Sequence, residues 1–449
     1  MVYTGIIRKL LDKYKVQEGD KILLRAKSDS YEGVIMPRTE LADDIHIVLK
    51  VASGYNTGIE VQGDEKIEKL ESRKESKIPK KKIIKDKSKP TVAVLQMGGT
   101  IASKVDYRTG GVVPSMTPEE MVAMVPELDS IANFEGKLIV NMESEDLRPP
   151  HYLLLAKEIK TQLDNGADAI LISHGTDTLH YTAAAMSFML QFTPSPIVLV
   201  GSQRSSDRGS TDATQNLICA AQFAAKADFA GVVVCMHANQ SDEYCYIHEG
   251  TKVRKLHTSR RDAFRSVNQR PIAKVWPDGK IEFLRNDYHK RDSKRKPELI
   301  DKFEEKVALV KAYPGFEPSI ITHFLDSGFK GILIEGTGLG HIPITKTDKH
   351  TNKNAEIFQN LADFIKSGGI VAMTSQCIYG RTGMDVYSPG RDLQSIGVIP
   401  LGDMLPETAY VKLGWALGKS KKPDEVKEIM LSNYSGELTE RTDNRTFLI

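Results

Sequence analysis

The spacing of apolar and polar positions changes along the chain, and each change predicts a different kind of structure. Up to residue 62, short alternating runs such as 21–26, 31–36 and 45–50 are separated by Gly, Asp, Ser and Asn, which favour turns. Closely spaced short strands without helices between them are typical of a small β-barrel. Residues 1–62 are therefore predicted to form a small N-terminal β-barrel domain.

Residues 63–90 lose this alternation and become dominated by charge. The stretch 77–90 contains seven lysines and one aspartate. So few apolar residues cannot offset the entropy of ordering the chain, and 63–90 is predicted to be a lysine-rich linker. Contact of these lysines with RNA remains open as an alternative to a solvated tether.

From residue 91 the chain alternates between apolar, strand-like runs and segments with helical spacing. The strand-like runs are TVAVLQ, LIVNM, DAILIS, PIVLVGS and GVVVCM, and from about residue 305 VALVKA, GILIEG and GIVAMT. Strands alternating with helices predict an α/β fold with largely parallel sheets covered on both faces. We expect two α/β domains, at 91–300 and 301–420, and then a C-terminal helix and polar tail at 421–449.

Composition narrows the class of protein. The 449 residues are 40% hydrophobic and 27% charged, which is typical of a globular protein in water, and no apolar run is long enough for a bilayer. The first twenty residues carry charges throughout and do not resemble a signal peptide. Four cysteines without a CxxC pair fit a reducing compartment, so we expect a cytoplasmic protein. The net charge of +2 gives no argument for nucleic-acid binding by the whole chain.

Two strand-to-helix turns carry a threonine directly after glycine. Gly98-Gly99-Thr100 follows the first strand of the α/β region, and Gly175-Thr176-Asp177 follows DAILIS. In open parallel sheets, ligands bind at the carboxyl ends of the strands, where these turns lie. Either motif alone could simply cap a helix, but two such turns in one sheet favour a catalytic site.

The motifs GGTIAS (98–103) and SHGTDTL (173–179) resemble the signature motifs of type I/II asparaginases and their glutaminase relatives, and the resemblance covers about 91–420. It implies an asparaginase-like two-domain core in which Thr100 attacks a side-chain amide, forms an acyl-enzyme and releases ammonia. Lys255, in RKLHTSRRDAFRSVN (254–268), matches the family lysine. With Thr176 and Asp177 it would position the attacked group and handle protons or water.

The same resemblance assigns substrate-binding residues and a lid. Ser144-Glu145-Asp146 matches a Ser-Gln-Asp motif that holds the α-carboxylate and α-amine of the substrate, with Glu145 in place of Gln. A carboxylate there would pair directly with the substrate ammonium. Tyr107, ahead of the flexible Gly110-Gly111, matches the tyrosine of the family's mobile loop.

Other motifs are not predicted to be catalytic. Residues 336–340 (GTGLG) lack the spacing of a dinucleotide loop and are expected to shape the sheet. The histidines 174, 180, 237, 248 and 257 do not have zinc-ligand spacing, so no metal site is expected. The loop 202–205 (SQRS) resembles a family loop of structural importance.

The extra ninety residues and the tail make the whole chain resemble the D subunits of archaeal glutamyl-tRNA(Gln) amidotransferases. The resemblance implies that glutamine is hydrolysed here and that ammonia passes to the E subunit, which binds tRNA and amidates Glu-tRNA(Gln). It also implies no cofactor in this chain, ATP and Mg²⁺ used by the partner, a homodimer within a heterotetramer, and no membrane. The alternatives are a freestanding cytoplasmic L-asparaginase with an accessory domain, and an RNA-binding module with an inert amidohydrolase fold.

Overall fold

A computed structural model describes residues 3–26, 29–36, 43–51, 56–72, 86–105, 112–114, 117–123, 125–205 and 210–447. No helix among them is long and apolar enough to cross a membrane.

The N-terminal domain is a small antiparallel sheet with one helix. Its elements are α1 (Gly5–Tyr14), β1 (Lys21–Ala26), β2 (Asp29–Ile35), β3 (His46–Val51), β4 (Asn56–Glu60) and β5 (Lys66–Glu71). The strand order is β4-β3-β2-β1-β5. Alternate strand residues, among them Ile22 and Leu24, are fully buried and form a core of their own with α1. The predicted small N-terminal domain of short strands is thus confirmed, and its strands form a five-stranded antiparallel sheet.

Two elements of this domain were not predicted. Helix α1 buries Ile7, Leu10 and Leu11, which lie on one face because they are three and four residues apart. Strand β5 lies within the segment 63–90 that we predicted as linker. Of its six residues only Ile67 is buried, so the other five give no apolar alternation, and its pairing with β1 had no signal in the sequence. Residues 73–85, which hold most of the lysine-rich segment, lie outside the described residues.

The first catalytic domain contains an eight-stranded sheet with helices on both faces. Its elements are β6 (Thr91–Gly98), β7 (Ser103–Val105), β8 (Val112–Pro114), α2 (Pro118–Ala123), β9 (Asn133–Met142), α3 (Pro149–Asp164), β10 (Ala169–Ser173), α4 (Leu179–Met189), β11 (Leu190–Gln191), β12 (Pro196–Val200), α5 (Ala213–Lys226), β13 (Gly231–His237), β14 (Cys245–Glu249), β15 (Val253–Lys255), β16 (Phe264–Ser266), β17 (Ala273–Val275), β18 (Ile281–Phe283) and β19 (Glu298–Leu299).

The order of this sheet places the glycine-threonine turns side by side. The order is β18-β17-β14-β13-β12-β10-β6-β9. Strands β9, β6, β10, β12 and β13 are parallel, so their carboxyl ends lie along one edge. Because β6 is hydrogen-bonded to both β9 and β10, the turns that follow these three strands are immediate neighbours.

The second catalytic domain has a four-stranded parallel sheet, in the order β20-β21-β22-β23. Its elements are β20 (Val307–Lys311), α6 (Ser319–Asp326), β21 (Gly331–Gly336), α7 (Asn352–Lys366), β22 (Ile370–Ser375), α8 (Ser388–Ser395), β23 (Ile399–Pro400), α9 (Pro406–Lys419) and α10 (Pro423–Leu431). The predicted α/β fold of two catalytic domains, with largely parallel sheets, is confirmed.

The two catalytic domains share one hydrophobic core. Helix α4 is buried along almost its whole length, as its nearly continuous apolar sequence requires, and it packs against α9 of the second domain. Phe188 stacks on Trp415, with ring centroids 5.7 Å apart. The shared core fixes the position of the second domain against α4 and the face of the larger sheet that α4 covers.

Candidate active site

Three loops meet at the carboxyl ends of β9, β6 and β10, and glycines allow their close approach. A Cβ at Gly99 (φ +82°) would lie 2.2 Å from the backbone nitrogen of Gly175. A Cβ at Gly175 would in turn lie 2.8 Å from Ser144 Oγ. Real Cβ atoms do not approach so closely, so glycine is required at both positions. Thr100 begins a short 3₁₀ turn directly after Gly99 and is therefore held beside the loop of Thr176.

Lys255 connects the two polar residues of the second loop. It lies at the end of β15, and its Nζ donates hydrogen bonds to Thr176 Oγ1 at 2.8 Å and to Asp177 Oδ1 at 2.9 Å. The side chain of Lys255 is 11% exposed, whereas that of Asp177 is 66% exposed. These three residues, predicted together from sequence, are brought together by the fold.

The helix-capping alternative does not describe this loop. Thr178 is the N-cap residue of α4, yet its side chain makes no cap hydrogen bond. Its hydroxyl instead donates to the carbonyl oxygen of Ser144 at 2.7 Å and ties the second loop to the third. Thr176 and Asp177 are engaged by Lys255.

Buried residues on the core side of the Thr176 loop hold it in place. His174 is fully buried; its Nδ1 lies 2.7 Å from the Gly175 carbonyl oxygen and its Nε2 lies 2.8 Å from Thr182 Oγ1. Burial lowers the pKa of His174 to about 4, so the ring is neutral at physiological pH. A Cβ at Gly201, after β12, would lie 2.9 Å from Thr176 Cγ2. The loop 202–205, expected to be structural, begins at this contact.

The substrate-binding candidates lie in the loop after β9. Ser144 is buried, whereas Glu145 and Asp146 are exposed. Glu143 is a neighbour that the sequence analysis missed. Partial burial, and then the carboxylates of Glu145, Asp146 and Asp177, raise the pKa of Glu143. The site therefore carries an excess of carboxylates, which suits a ligand with an ammonium group.

Behind Lys255 lies a second group that the sequence analysis missed. Arg254 Nε pairs with Glu407 Oε1, at the start of α9, at 2.9 Å. Burial raises the pKa of Glu407, and the Arg254 guanidinium counteracts this. Nothing near Arg254 in the sequence points to Glu407, because the contact depends on how the two domains pack.

Two predicted features cannot be placed. Tyr107 and the hinge candidates Gly110 and Gly111 lie outside the described residues. Within the described residues, no group of three or more His, Cys, Asp or Glu side chains is arranged to hold a metal ion.

Family models match most of the chain. Residues 16–70 match the GatD N-terminal domain, residues 91–289 match the N-terminal asparaginase domain, and residues 306–430 match the glutaminase/asparaginase C-terminal domain.

Relatives and solved structures agree with these matches. The D subunit of the glutamyl-tRNA(Gln) amidotransferase of Pyrococcus furiosus is 49% identical, over 97% of this chain and 95% of the relative. The D subunit of Pyrococcus abyssi is 48% identical, over 98% and 99% of the two chains. The thermostable L-asparaginase of Thermococcus kodakarensis superimposes with a TM-score of 0.68 at 30% identity, over 78% of this chain and 99% of the asparaginase. The chain therefore belongs to the family of glutamyl-tRNA(Gln) amidotransferase D subunits, whose catalytic core is an asparaginase fold.

Proposed function

We propose that this chain is the glutaminase subunit of a tRNA-dependent amidotransferase. It hydrolyses glutamine and supplies ammonia to a partner subunit, which converts Glu-tRNA(Gln) to Gln-tRNA(Gln). The observation that carries the proposal is the similarity to D subunits along the whole chain, including the N-terminal domain. The asparaginase of Thermococcus kodakarensis matches only 78% of this chain, although nearly all of its own length is covered.

In this proposal Thr100 is the nucleophile. Its Oγ gives up its proton and attacks the side-chain carbonyl carbon of glutamine, the C–N bond breaks, and the NH₂ group takes up one proton and leaves as ammonia. The resulting ester is hydrolysed by water, which releases glutamate and restores the hydroxyl. The Gly98-Gly99 turn, in which both glycines have positive φ, supports this role because it presents Thr100 at the edge where the three loops meet.

Thr176, Asp177 and Lys255 act on protons and water. Thr176 Oγ1 accepts a hydrogen bond from Lys255, so its own proton remains available to another group. It can therefore donate to the leaving nitrogen, and its second lone pair can accept a hydrogen bond from the attacking water. Lys255 and Asp177 hold Thr176 in place for both steps, and the largely buried position of Lys255 strengthens these hydrogen bonds.

The carboxylates beside the site recognise the charged end of the substrate. In this proposal Ser144 binds the α-carboxylate and Glu145 binds the α-ammonium. The neighbouring carboxylates of Glu143 and Asp177 support an ammonium site, because like charges close together favour a cation between them. Tyr107 remains our candidate for a lid residue.

Assembly and location complete the proposal. The chain works with the tRNA-binding E subunit as a homodimer within a heterotetramer in the cytoplasm. ATP and Mg²⁺ are used by the partner, while this chain needs no cofactor.

The test measures ammonia release from glutamine by the chain alone, and by the chain with its tRNA-binding partner and charged Glu-tRNA(Gln). Glutamine that is hydrolysed without an acceptor is wasted, so the isolated chain should be slow. The complete complex should be at least about tenfold faster, which requires a coupling free energy of only about 1.4 kcal/mol. Uncharged tRNA should accelerate the reaction less.

Equal rates with and without the partner and charged tRNA would remove the coupled function and leave an independent amidohydrolase. The same assay with asparagine as the substrate tests the alternative of a freestanding L-asparaginase. Rapid asparagine hydrolysis by the chain alone would favour a freestanding L-asparaginase.

A further inference from the structure

The polar C-terminal tail, residues 433–447, packs along the surface of the catalytic core and inserts the side chain of Glu437 into it. Glu437 is fully buried and its Oε1 pairs with Lys412 Nζ of α9 at 2.6 Å, with both side chains 0% exposed. Ser435 Oγ donates to the carbonyl oxygen of Ser187 in α4 at 2.8 Å. The tail therefore contacts both helices of the interface between the catalytic domains.

The tail also contacts the turn that leads to Lys255. This turn, residues 249–252, connects β14 to β15. Thr251 is fully buried, and its Oγ1 donates to the carbonyl oxygen of Ser435 at 2.7 Å. A Cβ at Gly436 would lie 2.3 Å from Glu249 Oε1, so the tail backbone lies directly against the turn.

The carboxylate of Asp403 makes a second connection between the tail and the turn, because it contacts residues of both. Lys252 Nζ pairs with Asp403 Oδ2 at 2.7 Å, and both side chains are 0% exposed. Thr439 of the tail donates to the same carboxylate from its backbone nitrogen at 2.9 Å and from its Oγ1 at 2.6 Å. The tail thus orients the acidic partner of a buried lysine three residues before Lys255.

The position of Lys255 depends on this turn because β15 begins directly after it. Strand β15 belongs to a two-stranded ribbon with β16 and not to the eight-stranded sheet. Two-stranded ribbons are only marginally stable without further packing. The buried side chains of Val253 and Phe264 hold the ribbon on the core. The turn 249–252 fixes the position of the first residue of β15.

We propose that the C-terminal tail positions Lys255 for glutamine hydrolysis, through Thr251 and through the Asp403–Lys252 pair. Thr251 and Thr439 are positioning residues, since neither contacts Thr176, Asp177 or the nucleophile. The inference rests on the proposed function in one respect, which is that Lys255 takes part in the reaction.

The test compares glutamine hydrolysis by the full amidotransferase complex carrying Thr251→Val, Thr251→Ser or Thr439→Val. Valine keeps the volume of threonine and removes the hydrogen bond to the tail. Thr251→Val should lower kcat at least tenfold and leave KM within twofold, because the ribbon shifts without altering the substrate contacts. Thr251→Ser keeps the hydroxyl and should restore kcat to within threefold of wild type. Thr439→Val should have a smaller effect than Thr251→Val and lower kcat at least threefold, because the backbone nitrogen of residue 439 still donates to Asp403.

Thr446→Val is the matched control. Thr446 is a buried tail residue whose hydroxyl bonds within the tail, to the Asp443 carbonyl oxygen, and does not contact the turn. It should retain the wild-type kcat. Equal kcat for Thr251→Val and wild type, or equal losses in the Val and Ser variants, would overturn the proposal. If Thr251→Val does not fold, Thr439→Val decides the question by itself.

A parallel Lys255→Met variant separates the two claims. Full activity of Lys255→Met would remove Lys255 from the proposed function. Loss of activity in Lys255→Met together with wild-type kcat in both Thr251→Val and Thr439→Val would remove only the role of the tail.

Discussion

At the scale of single residues, the site combines shielded hydrogen-bonding groups with exposed carboxylates. Thr176 is 6% exposed and is held by Lys255, whereas Glu145 is exposed in the neighbouring loop. Shielding strengthens the hydrogen bonds around the reacting groups, while exposed carboxylates can meet a charged substrate from solvent. We therefore expect changes at the shielded residues to act mainly on kcat and changes at the exposed carboxylates to act mainly on KM.

Glu145→Gln should mainly raise KM for glutamine, with kcat within about twofold of wild type. A contact with the α-ammonium is made equally in the ground state and the transition state, so its loss weakens binding without slowing the chemical step. The measurement is steady-state ammonia release by the complex, with the exposed Glu119→Gln in α2 as a control for loss of charge. An unchanged KM with a reduced kcat would instead place Glu145 in the chemistry.

At the scale of elements, the site depends on how closely three loops approach each other. Gly99 and Gly166 both have positive φ, of +82° and +91°, but their surroundings differ. A Cβ at Gly99 would collide with Gly175, whereas a Cβ at Gly166 would meet nothing within 4 Å. Alanine substitutions at these two glycines therefore separate the effect of an unfavourable φ from the effect of a collision between two loops.

Gly99→Ala should abolish glutamine hydrolysis, because the loop of Thr100 must move away from that of Thr176. Gly166→Ala should cost about 1–2 kcal/mol of stability from the unfavourable φ alone and leave activity unchanged. Thermal unfolding and ammonia release by both variants test this. Wild-type activity in Gly99→Ala would show that the close approach of the loops is not required.

The elements also show what could be predicted from sequence. The strands and helices of 91–420 follow from long apolar runs and helical spacing, and α2 begins with a capping box in which Thr117 and Glu120 exchange reciprocal hydrogen bonds. Strand β5 escaped prediction because its one buried residue gives no alternation. The pairing of Arg254 with Glu407 also escaped, because it joins residues far apart in the chain. Local pattern thus predicts elements and motifs, but not contacts made by packing.

At the scale of the whole molecule, the core contains several neutral histidines that must become charged when the chain unfolds in acid. Burial lowers the pKa of His174 to about 4 and those of His180 and His248 to about 3. In the unfolded chain a histidine has a pKa of about 6.5. Below that pH the unfolded state binds more protons than the native state, so stability falls as the pH decreases.

The unfolding temperature should therefore fall between pH 6.5 and pH 4, and less steeply in His248→Gln than in wild type. Glutamine can keep a hydrogen bond to Ser266 but cannot take up a proton. Thermal unfolding at pH 7, 6 and 5 measures the difference, with the exposed His323→Gln as a control that should follow wild type. Identical pH dependence in His248→Gln and wild type would mean that His248 is not held neutral by the fold.

The proposed role of the Thr100 hydroxyl as the nucleophile of a glutaminase is tested by measuring ammonia release from glutamine by the complex that carries Thr100→Val. The change removes one hydroxyl at nearly constant volume. We expect kcat to fall at least about a hundredfold, which is a barrier increase of about 2.7 kcal/mol. Thr161→Val, on the exposed face of α3, should retain the wild-type rate. Activity of Thr100→Val within tenfold of wild type would show that the Thr100 hydroxyl is not the nucleophile.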